Sequence, residues 1–425
     1  MGGPRRFSPL EYRDPAPAPW LIHTLGAVNR LAILGALLKF RRIELLDADR
    51  SRLRAAVNPG TAAFLGPIHP EFLTDWMIDK EISRLCSPLM AHWASYEIVN
   101  ASPAVRAFWL ANNLVANAPG GGGRAYSLRW AEQGHGVLLH PEGTATWHGD
   151  RVSTLLPGIV EMAWDCSLGL RSRNDARPVW IIPLAWRFSF VGDVRRGLAA
   201  EIGHIERALG LPRTRGPLDD RFGRLMWALL RRQSERLELP APTGGDYFAE
   251  QARSIASLRE RLAARYGPLD PDFTRANFQL RKAMRERSTG DPDGVRTDRA
   301  QLIELQRLTE FDPALYARPS LDQERIAEVL KRTRTSLVTR GFRNVLANGL
   351  PIAAGPRVAH IRVPEPIAVE AAPLPDAAAA AARTLLLGGL QASLQRALDG
   401  LGAELSPAAK RFAIANHLAT TPTAA

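Results

Sequence analysis

The chain has 425 residues, of which 46% are hydrophobic and 23% charged, and this balance is typical of a globular protein with a sizeable core. Its formal net charge is +12, but basic residues accumulate together with alanine, glycine and proline as they do in GC-rich genomes, so charge alone identifies no partner. The only two cysteines, Cys86 and Cys166, exclude a disulfide framework and a cysteine-built zinc site. With no signal-peptide pattern at the N-terminus, we expect a cytosolic protein.

Residues 1–42 predict a proline-rich lead-in followed by an apolar helix from Trp20 to Leu38. Asn29 and Arg30 interrupt the apolar stretch, and basic residues follow it. Because a charge near the centre of a membrane span costs roughly 2.5–3.5 kcal/mol, a helix lying at the membrane surface fits better than a span. An ordinary core-packing helix is the alternative.

Strand and helix patterns then alternate through residues 43–194. They predict an α/β core in which a mixed sheet is flanked by helices. Strands are expected at 43–47, 61–68, 137–139 and 178–186. Helices are expected at 72–85, 124–133 and 159–165.

Residues 195–350 are arginine-rich and helical in period, which predicts a large helical insertion. Its best helices are expected at 221–237, 248–266, 275–287 and 323–335, with a flexible break at 288–298. Basic and acidic residues are interleaved there, which favours a solvated helical face over a nucleic-acid surface. Residues 351–425, with a strand at 357–363 and a helix over 377–398, are expected to complete the core.

A histidine and two carboxylates follow the second predicted strand. His69 stands at a strand end, where α/β folds place ligands. Asp75, in the second turn of a helix beginning at residue 70, could fix one tautomer of His69 and leave its other ring nitrogen able to accept a proton. Asp79 is the second candidate partner. Alternatively, His69 caps the helix and Asp75 pairs with Lys80 or Arg84.

A second motif, His140-Pro141-Glu142-Gly143-Thr144, follows the apolar strand at 137–139. It could be a purely structural turn, with the glycine supplying backbone freedom. The spacing of His135, His140 and His148 matches no common zinc motif. The glycine run at 120–123 lacks the Gly-Lys-Ser/Thr of a phosphate loop.

Taken in order, these motifs resemble those of the glycerolipid acyltransferase superfamily, which carries a His-x4-Asp motif and, later, a Phe-Pro-Glu-Gly-Thr loop. The loop beginning at His140 matches at four of five positions. Further similar segments are Arg124 with its helix, Leu156-Pro157-Gly158-Ile159, Val179 to Pro183, and Ile361 to Ile367. The resemblance covers about 43–190 and 355–400 and leaves the helical insertion outside.

The resemblance implies transfer of a fatty acyl group from acyl-CoA or acyl-carrier protein to a hydroxyl of a lysophospholipid or related acceptor, as in 1-acylglycerol-3-phosphate acyltransferases. It implies no cofactor and no metal, a location at the inner face of the membrane, and the membrane surface rather than nucleic acid as a partner. The implied catalytic residues are His69 and Asp75. The implied substrate-binding residues are Glu142, Gly143, Thr144, Arg124 and Arg151. Backbone N–H groups near His69 or Gly143 would stabilise the oxyanion.

Three positions depart from the family pattern. The first motif is His-x5-Asp, Ala145-Thr146 stands where an arginine usually follows the loop, and Leu156-Pro157 stands where a lysine is usual. The two missing basic residues are the expected phosphate contacts, so Arg124, Arg129 or Arg151 would have to replace them. Two other functions remain open: a lipid-binding protein of the same fold that has lost turnover, and a zinc hydrolase.

Overall fold

The computed structural model describes residues 7, 8, 10–288, 290–338 and 354–419. The chain divides into two compact units. The α/β unit comprises the residues up to Ala145 together with Leu155–Arg187 and Val358–Leu401. The helical unit comprises Thr146–Thr154, Phe188–Arg357 and the residues from Gly402 onward. The start of the predicted lead-in and the predicted boundary at 350/351 lie outside the described residues.

Ten strands are present in the described part of the chain. In chain order they are β1 (Phe40–Leu45), β2 (Ala62–Pro67), β3 (Ala91–Ser95), β4 (Leu114–Asn117), β5 (Val137–Leu138), β6 (Val179–Phe190), β7 (Ser320–Leu321), β8 (Arg357–Arg362), β9 (Ile367–Ala368) and β10 (Ile414–Ala415). Eight of them form one sheet in the order β1-β8-β6-β2-β5-β3-β4, with β9 paired to β6. The predicted α/β fold with a mixed sheet flanked by helices is confirmed.

The centre of this sheet is parallel. Strand β2 pairs in parallel with β5 and β6, and β3 pairs in parallel with β4 and β5, whereas β9 is antiparallel to β6. Every residue of β2 is buried, as expected for a strand covered on both faces. Because parallel strands end at the same edge of a sheet, the segments that follow β2 and β5 emerge side by side.

The helices of the α/β unit cover this sheet. They are α1 (Pro19–Val28), a π-helix (Asn29–Leu37), α2 (Asp47–Ala56), α3 (Thr74–Cys86), α4 (Tyr96–Val99), α5 (Pro103–Ala111), α6 (Gly122–Glu132) and α7 (Gly158–Ser172). The single apolar helix expected over 20–38 is therefore an α-helix continued by a π-helix. Helix α3 begins at Thr74 rather than at residue 70, so Asp75 lies in its first turn and not in its second.

The helical unit has its own apolar core. Its helices are α8 (Arg195–Ala208), α9 (Leu218–Arg236), α10 (Tyr247–Tyr266), α11 (Phe273–Arg287), α12 (Pro292–Glu310), α13 (Pro313–Tyr316) and α14 (Gln323–Leu337). The core is rich in buried aromatic side chains, among them Phe222, Tyr247, Phe311 and Tyr316. Strands β7 and β10 form a two-stranded antiparallel pair in this unit.

The prediction of a flexible break at 288–298 is wrong for most of that range, because α12 begins within it. The side chain of Asp291 accepts the Gly294 N–H at 3.0 Å and caps the helix, and Pro292 occupies its first turn. Proline and a capping aspartate favour a helix start as well as a turn. Helix α8 and the two short strands β3 and β4 were not predicted. The final helix, α15 (Asp376–Lys410), is longer than the 377–398 expected.

Candidate active site

Two histidines stand at the carboxyl edge of the parallel sheet. In the register of β2 and β5, Phe64 is opposite Val137 and Leu65 is opposite Leu138. His69 follows the end of β2, and His140 follows the end of β5. The register therefore brings the two motifs together although they are far apart in sequence. The two imidazole rings stack with centroids 4.1 Å apart and an interplanar angle of 18°.

His69 is paired with Asp75, as the first motif predicts. Its Nδ1 lies 2.9 Å from Asp75 Oδ2. The same carboxylate oxygen accepts the Glu71 backbone N–H at 2.6 Å, and Oδ1 accepts the indole N–H of Trp186 at 3.0 Å. Asp75 is fully buried. These contacts fix the carboxylate, and with it the orientation of the imidazole, so the extra residue in the His-x5-Asp spacing is accommodated by the turn before α3.

Burial dominates the electrostatics of this pair. It raises the pKa of the Asp75 carboxyl well above its usual range, although the hydrogen bond from the Glu71 N–H opposes that shift. Burial also lowers the pKa of His69 well below 6.5, and the nearby charge of His140 lowers it further. His69 is therefore held in its neutral form near pH 7, which is the form that can accept a proton.

Glu142 is a buried support for His69. Its carboxylate Oε2 accepts the His69 backbone N–H at 2.6 Å, and the residue is 1% exposed. This contact joins the loop after β5 to the loop after β2. It fits a role of Glu142 in positioning His69, and a direct role of Glu142 on an acceptor hydroxyl stays a prediction.

The loop after β5 is a tight turn that requires glycine. Gly143 has φ +71°, and its N–H donates to the His140 carbonyl at 3.1 Å. A Cβ at this position would lie 2.5 Å from Leu156 Cδ1. Thr144 is half-buried next to it. Since the Gly143 N–H is bonded to His140 and the His69 N–H to Glu142, neither of these two backbone donors is directed at an oxyanion in this conformation.

The arginines expected to contact a phosphate are in ion pairs. Arg124 binds Glu161, with Nη1 and Oε2 3.1 Å apart, and also contacts Asp165. Arg151 belongs to the helical unit, where it contacts Asp312. Arg129 is 2.8 Å from Asp14 on the surface. A phosphate contact by any of them remains a prediction, and it would require these pairs to exchange partners.

His140 and Asp79 form a second pair that the sequence analysis did not assign. His140 Nε2 lies 2.9 Å from Asp79 Oδ2, and its Nδ1 donates to the Ile68 carbonyl at 2.9 Å. Asp79, the second candidate partner of His69, therefore pairs with His140 instead. Two sequence signals could have indicated this pair: Asp75 and Asp79 are one helical turn apart, and a histidine replaces the usual phenylalanine of the loop motif.

The three histidines considered for metal binding have separate environments. His140 is bonded to Asp79, His135 stacks on Trp130, and His148 is part of the helical unit. In the described part of the helical unit, Asp219, Asp220 and His417 bring ligand atoms within 4.8 Å of one another. These residues are half-buried or exposed, and such surface groups are common without an ion.

The N-terminal apolar helix presents large side chains to solvent. Pro19–Leu37 is long and apolar enough to cross a membrane, with mean hydropathy 1.3, and only 17% of the stretch is buried. Trp20 and Leu31 are 72% and 76% exposed. A hydrogen bond and an ion pair nevertheless connect this segment to α3. Asn29 Nδ2 donates to the Met77 carbonyl at 2.8 Å, and Arg30 lies 3.4 Å from Glu81.

The residues at the carboxyl edge thus form a buried imidazole–carboxylate site with a second pair stacked against it. This class of site is suited to moving a proton to and from a substrate atom. No protein-family model matches the chain, and no curated protein matches it.

Proposed function

We propose that this protein is an acyltransferase that moves a fatty acyl group from a thioester donor, acyl-CoA or acyl-carrier protein, to a hydroxyl of a lysophospholipid or related lipid acceptor. The observation that supports this most strongly is the junction of the two motifs: His69 bonds to Asp75 through its ring and to Glu142 of the Pro-Glu-Gly-Thr loop through its backbone. The superfamily resemblance rests on the same two motifs.

The chemistry assigned to these residues is direct transfer. His69 Nε2 accepts the proton of the acceptor hydroxyl while the oxygen attacks the thioester carbonyl, and the other ring proton stays on His69 Nδ1, hydrogen-bonded to Asp75. The tetrahedral intermediate then collapses with cleavage of the carbon–sulfur bond. The departing thiolate takes the proton from His69, which regenerates the neutral imidazole. Neither cysteine takes part, and burial raises the pKa of both thiols to about 12.

The acceptor class follows from the basic residues around the motifs. Arg124 and Arg151 already neutralise carboxylates, and the family's two other basic positions carry Ala145 and Leu156. We therefore extend the acceptor range beyond a phosphorylated lysolipid to lipid alcohols and amines. A phosphorylated acceptor would have to draw Arg124 away from Glu161 and Asp165.

A membrane surface supplies the lipid acceptor in this proposal. The exposed side chains of Trp20 and Leu31 would enter the boundary between headgroups and acyl chains, on the inner face of the membrane. The hydrogen bond from Asn29 to Met77 connects this N-terminal segment to α3, the helix that carries Asp75. A helix at the interface would thus deliver lipid close to the catalytic pair.

The direct test is acceptor-dependent release of free CoA. Purified full-length protein is incubated with long-chain acyl-CoA and, separately, lysophosphatidate, lysophosphatidylcholine, monoacylglycerol, a long-chain alcohol and a long-chain amine. We expect free thiol to appear with at least one acceptor, together with the acylated product by mass spectrometry. His69→Ala should remove that release, whereas His417→Ala, an exposed histidine of the helical unit, should not.

Three results would contradict the proposal. Wild type and His69→Ala equally inert with every donor and acceptor, while still binding lipid, would indicate a binding protein. Thiol release that is unchanged when all acceptors are omitted would indicate a thioester hydrolase. Stoichiometric zinc in the active purified protein, lost together with activity on chelation, would indicate a metal hydrolase.

A further inference from the structure

A second imidazole–carboxylate pair lies directly against the catalytic one. The ring of His140 is stacked on that of His69 at 4.1 Å, and both nitrogens of His140 are hydrogen-bonded, to Ile68 and to Asp79. Asp75 and Asp79 are one turn apart on α3, so a single helix face presents one carboxylate to each imidazole. Trp186 also contacts both pairs, with its indole N–H on Asp75 and its ring edge-on to His140.

The hydrogen bonds determine where protons must be. A carbonyl oxygen can only accept, so His140 Nδ1 carries a proton towards Ile68. The contact between His140 Nε2 and Asp79 Oδ2 then needs a second proton, because a deprotonated nitrogen would face a carboxylate. The other Asp79 oxygen, Oδ1, is buried without a hydrogen-bond partner among the described residues. Held on His140, this shared proton would compensate the buried carboxylate as an ion pair.

We propose that the His140–Asp79 pair holds a proton against the face of His69 and thereby keeps His69 unprotonated and ready to act as a base. His140 and Asp79 are then positioning residues, because they act through His69 and not on the substrate. This inference rests on the proposed role of His69 in acyl transfer and identifies what regulates its proton affinity.

The charged groups around the two rings are consistent with this division of roles. Although burial lowers the pKa of His140, the charge and hydrogen bond of Asp79, the Ile68 carbonyl and the charge of Glu142 raise it above 6.5. Burial, and after it the charge of His140, lower the pKa of His69. Among the described residues, the titratable and charged groups facing the rings are Glu71, Asp75, Asp79 and Lys80 from α3 and the turn before it, Glu142 from the loop, and His92 from β3.

The consequence for catalysis concerns the second half of the reaction. When His69 has taken the proton of the acceptor hydroxyl, two imidazolium rings lie face to face in a buried site. Their repulsion favours rapid transfer of that proton from His69 Nε2 to the departing thiolate. A phenylalanine at position 140 would keep the stacked ring but carry no charge, so it would remove this effect while preserving the shape.

The test measures the proton affinity of His69 directly, by a histidine NMR titration of the full-length protein. His140→Phe and Asp79→Asn should each raise that affinity by roughly tenfold or more, since each removes the positive charge from the stacked ring. The matched control is His135→Phe, which replaces a histidine stacked on Trp130 and should leave His69 unchanged. Asp79→Asn keeps both rings and serves as the second variant if His140→Phe alters folding.

Unchanged or lowered proton affinity of His69 in both variants would overturn the inference. The titration does not depend on turnover, so it separates the two proposals. If His69 responds but no acceptor yields free CoA, the coupled pair stands and the acyltransferase proposal fails. If CoA release depends on His69 but the proton affinity of His69 is unchanged in His140→Phe and Asp79→Asn, the acyltransferase proposal stands and the coupled pair fails. In an active enzyme, the lower limb of the pH profile of kcat/KM should move to higher pH in His140→Phe.

Discussion

Among single residues of the site, Asp75 is held by three hydrogen-bond contacts. Its two carboxylate oxygens accept hydrogen bonds from the His69 imidazole, the Glu71 N–H and the Trp186 indole N–H. An ionised carboxylate can satisfy all three, since both of its oxygens are acceptors. A carboxamide offers only one acceptor atom, so one of these groups would face an NH2.

We therefore predict that Asp75→Asn lowers kcat by roughly 10²- to 10⁴-fold, the range expected when general-base catalysis is lost. The physical reason is that the amide no longer fixes the Nδ1–H tautomer of His69. The measurement is the initial rate of CoA release with the best acceptor.

Asp49→Asn is the control for this variant, because Asp49 is also a buried carboxylate of the α/β unit but pairs with Arg52. It should keep near-wild-type turnover. An Asp75→Asn protein that is folded and as fast as wild type would mean that Asp75 does not support His69.

At the scale of elements, the site depends on where strands end and helices begin. The loops after β2 and β5 meet because the two strands are parallel and adjacent, and Glu142 bonds to the His69 backbone across them. Helix α3 then supplies both carboxylates from its first two turns. The strand positions of both motifs were predictable from apolar runs, but the start of α3 was not, because it follows Leu73 in an unusual backbone conformation with φ 64°.

The N-terminal apolar segment gives a prediction at the same scale. The double substitution Trp20→Ser with Leu31→Ser should weaken binding to phosphatidylglycerol-containing vesicles by at least about tenfold, because each large apolar side chain contributes roughly 1.5–3 kcal/mol when it leaves water. Vesicle sedimentation measures the bound fraction.

Phe278→Ser is the matched control, since Phe278 is a 56%-exposed aromatic side chain of the helical unit. Its loss should leave vesicle binding unchanged. Equal binding by wild type and the double variant, or an equal loss in the control, would remove the membrane role of the N-terminal segment.

At the scale of the whole molecule, buried histidines make stability depend on pH. His148 is 3% exposed, its Nδ1 has no hydrogen-bond partner among the described residues, and burial lowers its pKa to about 3. Burial also lowers the pKa of His69 and His92 well below 6.5. His140 acts in the opposite direction, because its pKa is raised.

The sign of the His148 contribution follows from proton binding. Between pH 6.5 and about 3, the unfolded chain binds a proton at His148 that the folded protein does not, so the free energy of unfolding falls as the pH is lowered through this window. At pH 5 the loss from this residue should be roughly 2 kcal/mol relative to pH 7.5. Urea titrations at the two pH values should show a smaller difference for His148→Gln than for wild type.

His23→Gln is the control, because His23 is exposed on α1. It should keep the wild-type dependence on pH. A His148→Gln protein whose stability falls with acid as steeply as that of wild type would show that His148 is not held neutral in the folded state.

Local sequence patterns were enough to predict the α/β class, the apolar strands β2, β5 and β6, and the two motifs, because hydrophobic period and turn chemistry are local properties. They did not reveal β3, which carries histidine, tryptophan and serine among alanines, or β4, which has only four residues. They also led to a misreading of Pro292 and Gly294 as part of a flexible break, although both lie in the first turn of α12, since the same residue types occur at helix starts and in turns.

The pairing of each carboxylate with its histidine could be assigned from the three-dimensional arrangement alone. Asp75 and Asp79 were both open as partners of His69, and the sheet register resolved the choice by placing His140 beside Asp79. It also showed Glu142 on the His69 backbone and Arg124 in ion pairs. These contacts join residues that are distant in the chain, so they depend on strand order and register, which no local pattern encodes.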